Sequence, residues 1–174
     1  MSDKYLDSFR IDPLPIKALA PRLHDQILDA LDAGVLSDGL PVQIWAHRPE
    51  LASKWLTLLS AFHTGSVLDE RLRELMRLKI AAVTDCDICQ LGRKSERVSE
   101  ADIACIQKKD DRFTPPEQAA MEYAHLFASD YQSIGEQVFD DLRKYFSEAE
   151  IVEINMYCAL MLAGGRMTYV HRET

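Results

Sequence analysis

Two stretches leave this chain little freedom in what it can fold into. From Asp69 to Val83 the apolar residues Leu72, Leu75, Met76, Leu78, Ile80 and Val83 wrap most of the way round a 3.6-residue repeat, and from Ile151 to Ala163 nearly every side is apolar. A helix of this kind has no solvent face, so each belongs in the middle of a bundle. An earlier segment carries Ile16, Leu19, Leu23, Ile27 and Leu31 three or four residues apart, as one helix stripe. Period-two alternation between turn signals is not sustained, so no sheet is expected.

Helix boundaries are also written in the chain. Ser99 with Asp102, Thr114 with Glu117 and Ser147 with Glu150 each set a capping hydroxyl three residues before a carboxylate. Pro115 follows Thr114 at the first helical position, where its missing N–H costs nothing. Asp69 can cap the helix running to Val83, and Thr84 or Asp85 can cap one starting at Cys86. Gly164 and Gly165 offer a left-handed stop. These signals predict an all-α, single-domain bundle of about seven helices over residues 1–174, without repeats or low-complexity linkers.

At 174 residues the chain can bury a core without disulfide staples, and 47% hydrophobic with 28% charged residues is a globular balance. A net charge of −8, with Lys and Arg scattered among acids, argues against nucleic acid and anionic membranes as partners. The N-terminus lacks a signal-peptide core, and the longest apolar run, Met156 to Ala163, is too short to span a bilayer. A cytoplasmic location is expected.

Of the four cysteines, only Cys86 and Cys89 are close in sequence; Cys105 and Cys158 fall on apolar faces and read as core. Two cysteines three apart on a helix share a face, and a helix N-terminus sets backbone N–H groups beside the first sulfur. That favours a thiolate with a resolving thiol in reach. Asp85 and Asp87 oppose it, since neighbouring negative charge disfavours the thiolate. Other readings stay open. A zinc site would need two further ligands, and no second paired spacing supplies them. A thioredoxin-like motif would need strands. Cysteine also packs well as a small core residue.

The run Arg73-Glu74-Leu75-Met76-Arg77-Leu78-Lys79-Ile80-Ala81-Ala82, followed by Cys86 and Cys89, resembles the core signature of the carboxymuconolactone decarboxylase and alkylhydroperoxidase-D (AhpD)-like superfamily. There a glutamate precedes the first cysteine by twelve residues, and Glu74 holds that place. Thr114-Pro115-Pro116-Glu117 and the segment from Phe146 to Glu153 resemble the family's later helices, so the likeness spans residues 40–170. The resemblance implies an AhpD-like helical fold and a thiol-dependent peroxidase or disulfide oxidoreductase. Cys89 would attack the peroxide, Cys86 would resolve it, and a dithiol reductant would reopen the disulfide. Glu74 would accept the proton that starts the relay, with semi-burial beside Leu78, Ala81 and Ala82 favouring its protonated form. No metal or organic cofactor is implied. A homo-oligomer, a trimer or hexamer, is.

One departure is serious. The family sets a histidine four residues after the second cysteine, and Arg93 stands there; Ile88 lies between the cysteines. Arginine cannot relay a proton at neutral pH. From one helical turn beyond Cys89 its charge could stabilise the thiolate, or it could hold a substrate carboxylate bidentately. The second role points to a cofactor-free decarboxylase or lyase on a small carboxylated substrate, with Glu74 moving the proton. The plainer readings are a solvated Glu74 paired with Arg71 or Arg77, and a surface Arg93 beside Lys94 and Glu96. His63 and His125, in predicted helices, are candidates to replace the missing histidine.

Overall fold

Helix starts in the computed structural model, which describes residues 9–172, follow the capping signals closely. The α-helices among the described residues are α1 (Pro21–Asp32), α2 (Leu40–Trp45), α3 (Pro49–Thr64), α4 (Glu70–Val83), α5 (Asp87–Leu91), α6 (Glu100–Cys105), α7 (Pro115–Ser129), α8 (Glu136–Arg143) and α9 (Glu148–Val170). Two 3₁₀ turns, Ile16–Ala18 and Tyr131–Ser133, accompany them. Asp69 accepts from the Arg71 amide at 2.8 Å at the head of α4. Glu117 and Glu150 reach back to the amides of Thr114 and Ser147, each at 2.8 Å, and Ser99 with Asp102 forms a full capping box.

The fold is all-α, with a single isolated bridge, Phe9 to Arg172, among the described residues. Among the described residues there are nine α-helices rather than about seven; α2, six residues long, is too short to show a repeat. The first segment is not one helix either. Ala20, in front of Pro21, is extended at ψ 137°, since proline crowds the helical conformation of the residue before it. The stripe therefore splits into a 3₁₀ turn and α1, which buries Leu23, Ile27 and Ala30. The expected stop at Gly164-Gly165 is absent: α9 runs through both glycines to Val170. Inside a hydrogen-bonded helix, glycine only weakens the helix; it does not end it.

The described residues gather into two compact units. One holds the chain up to Thr64 together with residues from Arg166 onward, and in it α1 and α2 pack on α3. The other, Gly65–Gly165, is built on α4 against α7, with α5 on α4 and α8 on α7. Leu75 and Leu78 of α4 meet Val98, Ile106, Phe113 and Met121 in its core. No helix among the described residues is long and apolar enough to cross a membrane.

α4 carries charges into this core, and each is anchored. Arg73 donates to the Leu68 carbonyl at 2.8 Å and Lys79 to the Ile106 carbonyl at 3.0 Å. Arg71 bridges Glu117 at 2.7 Å and Asp102 at 2.9 Å, tying the starts of α4, α6 and α7 together. The Arg71 hydrogen bond, helped by Ser99 and opposed by burial, holds the Asp102 carboxyl at about 2, below the usual 3.8. A carboxylate held low in the fold stabilises it above the unfolded value, and that stability is lost as pH falls from about 4 toward 2. Urea unfolding at about pH 5 and about pH 2 should show this group contributing on the order of 2 kcal/mol to the loss. Asp102→Asn should lose correspondingly less over the same window; an identical pH slope in both proteins would refute the assignment.

Candidate active site

The thiol pair is positioned by the way α4 ends. Thr84 closes that helix, its amide and hydroxyl both donating to the Ile80 carbonyl at 2.9 and 2.8 Å. Asp85 then turns left-handed at φ 52°, a conformation Asp tolerates better than most residues. The Cys86 amide donates back to Ala81 at 3.0 Å, the six-to-one bond of a Schellman ending. Thr84 and Asp85 thus terminate α4 instead of capping the next helix. That helix, α5, begins at Asp87, one residue later than expected, with the Cys86 carbonyl accepting its first bond from Gln90 at 3.0 Å.

Cys86 is buried and Cys89 half-buried, and the two are joined in a disulfide with their Cα atoms 5.2 Å apart. Cys105 and Cys158 are free thiols. Burial pushes the Cys158 thiol up to about 12, which keeps it protonated and inert. Among the described residues no group of three His, Cys, Asp or Glu is gathered that could hold a metal ion.

Glu74 is 2% exposed and is linked to the second cysteine through Arg77. Both its oxygens accept from Arg77, Nη2 to Oε1 and Nε to Oε2 at 2.7 Å each, and the Lys94 amide adds a third bond at 3.1 Å. Arg77 then gives its remaining terminal nitrogen to the Cys89 carbonyl at 2.5 Å. One guanidinium therefore ties the carboxylate of α4 to the backbone of the second cysteine. Of the two partners considered for Glu74, the structure selects Arg77, but as a buried ion pair; Arg71 is engaged elsewhere. The Tyr157 phenol of α9 lies within electrostatic reach of Arg77 and Glu74, its proton held by burial first of all.

Arg93 is not on the cysteine helix. α5 stops at Leu91, so the residue sits in the loop after Gly92 and not one helical turn beyond Cys89. Its guanidinium meets Glu100 of α6 at 3.3 Å, while Nη1 is buried and unbonded among the described residues. Cys86 and Cys89 are joined and Glu74 connects to Cys89 through Arg77, whereas the Arg93 charge is engaged by Glu100. His63 and His125 lie in α3 and α7 as predicted, and no contact links His125 to the thiols among the described residues.

Two contributors were not read as part of the site. Arg77 was named only as a partner of a solvated Glu74, although a Glu and an Arg three apart on an all-round apolar helix have nowhere to go but into the core together. Gly165 gave no such signal. A Cβ built on it would lie 3.6 Å from the Cys89 sulfur, so this bare stretch of α9 forms one wall beside the thiol. Gly165→Ala should raise stability by roughly 0.5–1 kcal/mol, as a helix-interior glycine replaced by alanine. It should also slow alkylation of Cys89 in the reduced protein by placing a methyl against the sulfur. Denaturant melts with iodoacetamide kinetics check both effects; unchanged alkylation would mean the thiol is approached from another side.

The sequence matches no family model and no curated protein. Solved structures do match its fold. The debrominase Bmp8 aligns over 94% of this chain and 91% of its own, with a TM-score of 0.80 at 16% identity. An AhpD-core, peroxidase-related protein from Ralstonia eutropha JMP134 aligns over 95% and 92%, with a TM-score of 0.71 at 19% identity. ATU0492 from Agrobacterium tumefaciens, described as a putative antioxidant defence protein AhpD, gives 0.66 over 75% and 94% at 22% identity. The fold is AhpD-like.

Proposed function

We propose that this chain is a thiol peroxidase or disulfide oxidoreductase working through Cys86 and Cys89. The closed Cys86–Cys89 bond carries the reading, because it is the oxidised half of such a cycle. Cys89, the less buried of the two, attacks the peroxide oxygen as a thiolate; the O–O bond breaks and an alcohol leaves. The Cys86 thiol displaces water from the sulfenic acid at Cys89, giving the disulfide. One peroxide and two thiols thus give one alcohol, one water and one disulfide, which an external dithiol reduces. Glu74 takes up or returns the proton, and Arg77 holds it against the cysteine backbone. With Arg93 outside the helix and facing Glu100, no histidine-type relay is invoked at that position.

A second substrate class has one observation in its favour. A cysteine-to-alanine variant of Bmp8, a debrominase, has been solved with 2,3,4-tribromopyrrole, and it aligns over 95% of this chain with a TM-score of 0.81. Two thiols can also reduce an aryl bromide, giving arene, bromide, a proton and the same disulfide. The decarboxylase alternative would need Arg93 to leave Glu100 and Glu74 to leave Arg77.

The deciding measurement starts from fully reduced protein. One equivalent of cumene hydroperoxide or of a bromopyrrole is added, followed by alkylation and peptide mapping. The thiol reading requires the Cys86–Cys89 linkage to form stoichiometrically with product while Cys105 and Cys158 stay alkylable. Four free thiols after both oxidants would sink it.

A further inference from the structure

We propose that a cavity of about 620 Å³ in the first unit, lined by α2, α3 and the end of α9, binds a small apolar carboxylic acid. It uses no residue of the disulfide site. The space exists because α3 has two apolar faces. Leu56 and Leu59 are buried, whereas Leu51 and Leu58 stay 55% and 41% exposed and line the cavity. Trp55, one turn from Leu51 and Leu58 on the same helix, meets Trp45 of α2 edge-on, ring centroids 6.1 Å apart, so the wall is aromatic as well as aliphatic. The volume lies within the range of small-molecule sites, roughly 300–1,000 Å³.

Polar groups at the cavity define the head of the ligand. Among the described residues Arg48 and Lys54 line it with His47 and His171, no Asp or Glu does, and neither Arg48 nor Lys54 makes an ion pair. The Trp45 indole N–H is buried without an acceptor among the described residues, an arrangement that has a cost until one arrives. A carboxylate meets both needs. It is a single negative charge with two acceptor oxygens, facing two cations and one neutral donor, while its hydrocarbon body covers Leu51, Leu58 and the indoles. A neutral alcohol leaves the cations without a counter-charge, and a quaternary amine of equal length meets repulsion.

The chain holds two tryptophans in all, and both line this cavity, so intrinsic fluorescence reports on this site directly. The whole protein is titrated with monomeric decanoate, n-decanol and decyltrimethylammonium. A saturable emission change is expected with decanoate, with decanol binding at least about tenfold more weakly for want of the charge-assisted contact. In the double variant Arg48→Gln with Lys54→Gln, affinity for decanoate should fall to that for decanol. Leu58→Glu, at an exposed position the fold tolerates, should abolish binding of the acid, with circular dichroism confirming the helices intact. Emission indifferent to decanoate, decanol binding as tightly as decanoate, or undiminished affinity in the charge double variant would each overturn the proposal. So would an emission shift on simple dilution that decanoate does not alter, which would make a second copy of the chain the occupant.

Discussion

Cys89→Ser should lower dithiol-dependent turnover by on the order of 10³-fold or more, the scale on which removal of a nucleophile acts. Cys86→Ser should behave differently. Its Cys89 still carries the attacking sulfur, so one equivalent of peroxide is consumed at a rate close to that of the parent, and the sulfenic acid then persists and is trapped by dimedone. Steady-state turnover is lost in both variants, and single-turnover kinetics with mass spectrometry separate them. If the Cys86 variant loses the first step while the Cys89 variant keeps it, the two roles are reversed.

Arg77→Met should destabilise the protein by about 3–5 kcal/mol, the effect of leaving a buried charge without its partner. Glu74 is 2% exposed and takes two of its three hydrogen bonds from Arg77, so the variant strands a carboxylate in the core. The double variant Glu74→Leu with Arg77→Met should recover most of that stability, because apolar residues of similar volume satisfy a core that a lone charge does not. Activity should not recover with it. The Cys89 carbonyl has lost its Arg77 donor and the thiols have lost their carboxylate, so reaction with peroxide stays slow in a protein that melts normally. Denaturant curves set beside alkylation and peroxide kinetics test the two halves separately. A double variant with parental thiol kinetics would reduce the pair to a structural role.

How much of this could be read from the chain depends on the range of the interaction involved. The capping boxes at Ser99, Thr114 and Ser147 were legible because each is complete within four residues. The burial of α4 was legible from its pattern, and its charges were the part left over. Helix ends were less so. Asp85 read as a cap for the next helix and Gly164 as a stop, yet Asp85 turns left-handed at the end of α4 and Gly164 lies inside α9. Pro21 broke a stripe that counting apolar residues had joined. For the site, Cys86 and Cys89 came from their spacing, and Glu74 from the family resemblance. The placement of Arg93 required knowing that α5 lasts only five residues, and the wall at Gly165 is a contact across 76 positions of sequence, counted from Cys89 to Gly165, that no local pattern announces.

The ring closed by Cys86 and Cys89 is small, with a sequence separation of 3. A cross-link restrains the unfolded chain in proportion to the logarithm of the loop it closes, and a loop this short removes only about 2 kcal/mol of freedom in that picture. The helices around it hold themselves in place through caps, the core of α4 and α7, and the Arg71 and Arg77 pairs. Oxidation state is therefore nearly decoupled from folding. In the proposed cycle the bond would open and close within a fold whose other contacts do not depend on it.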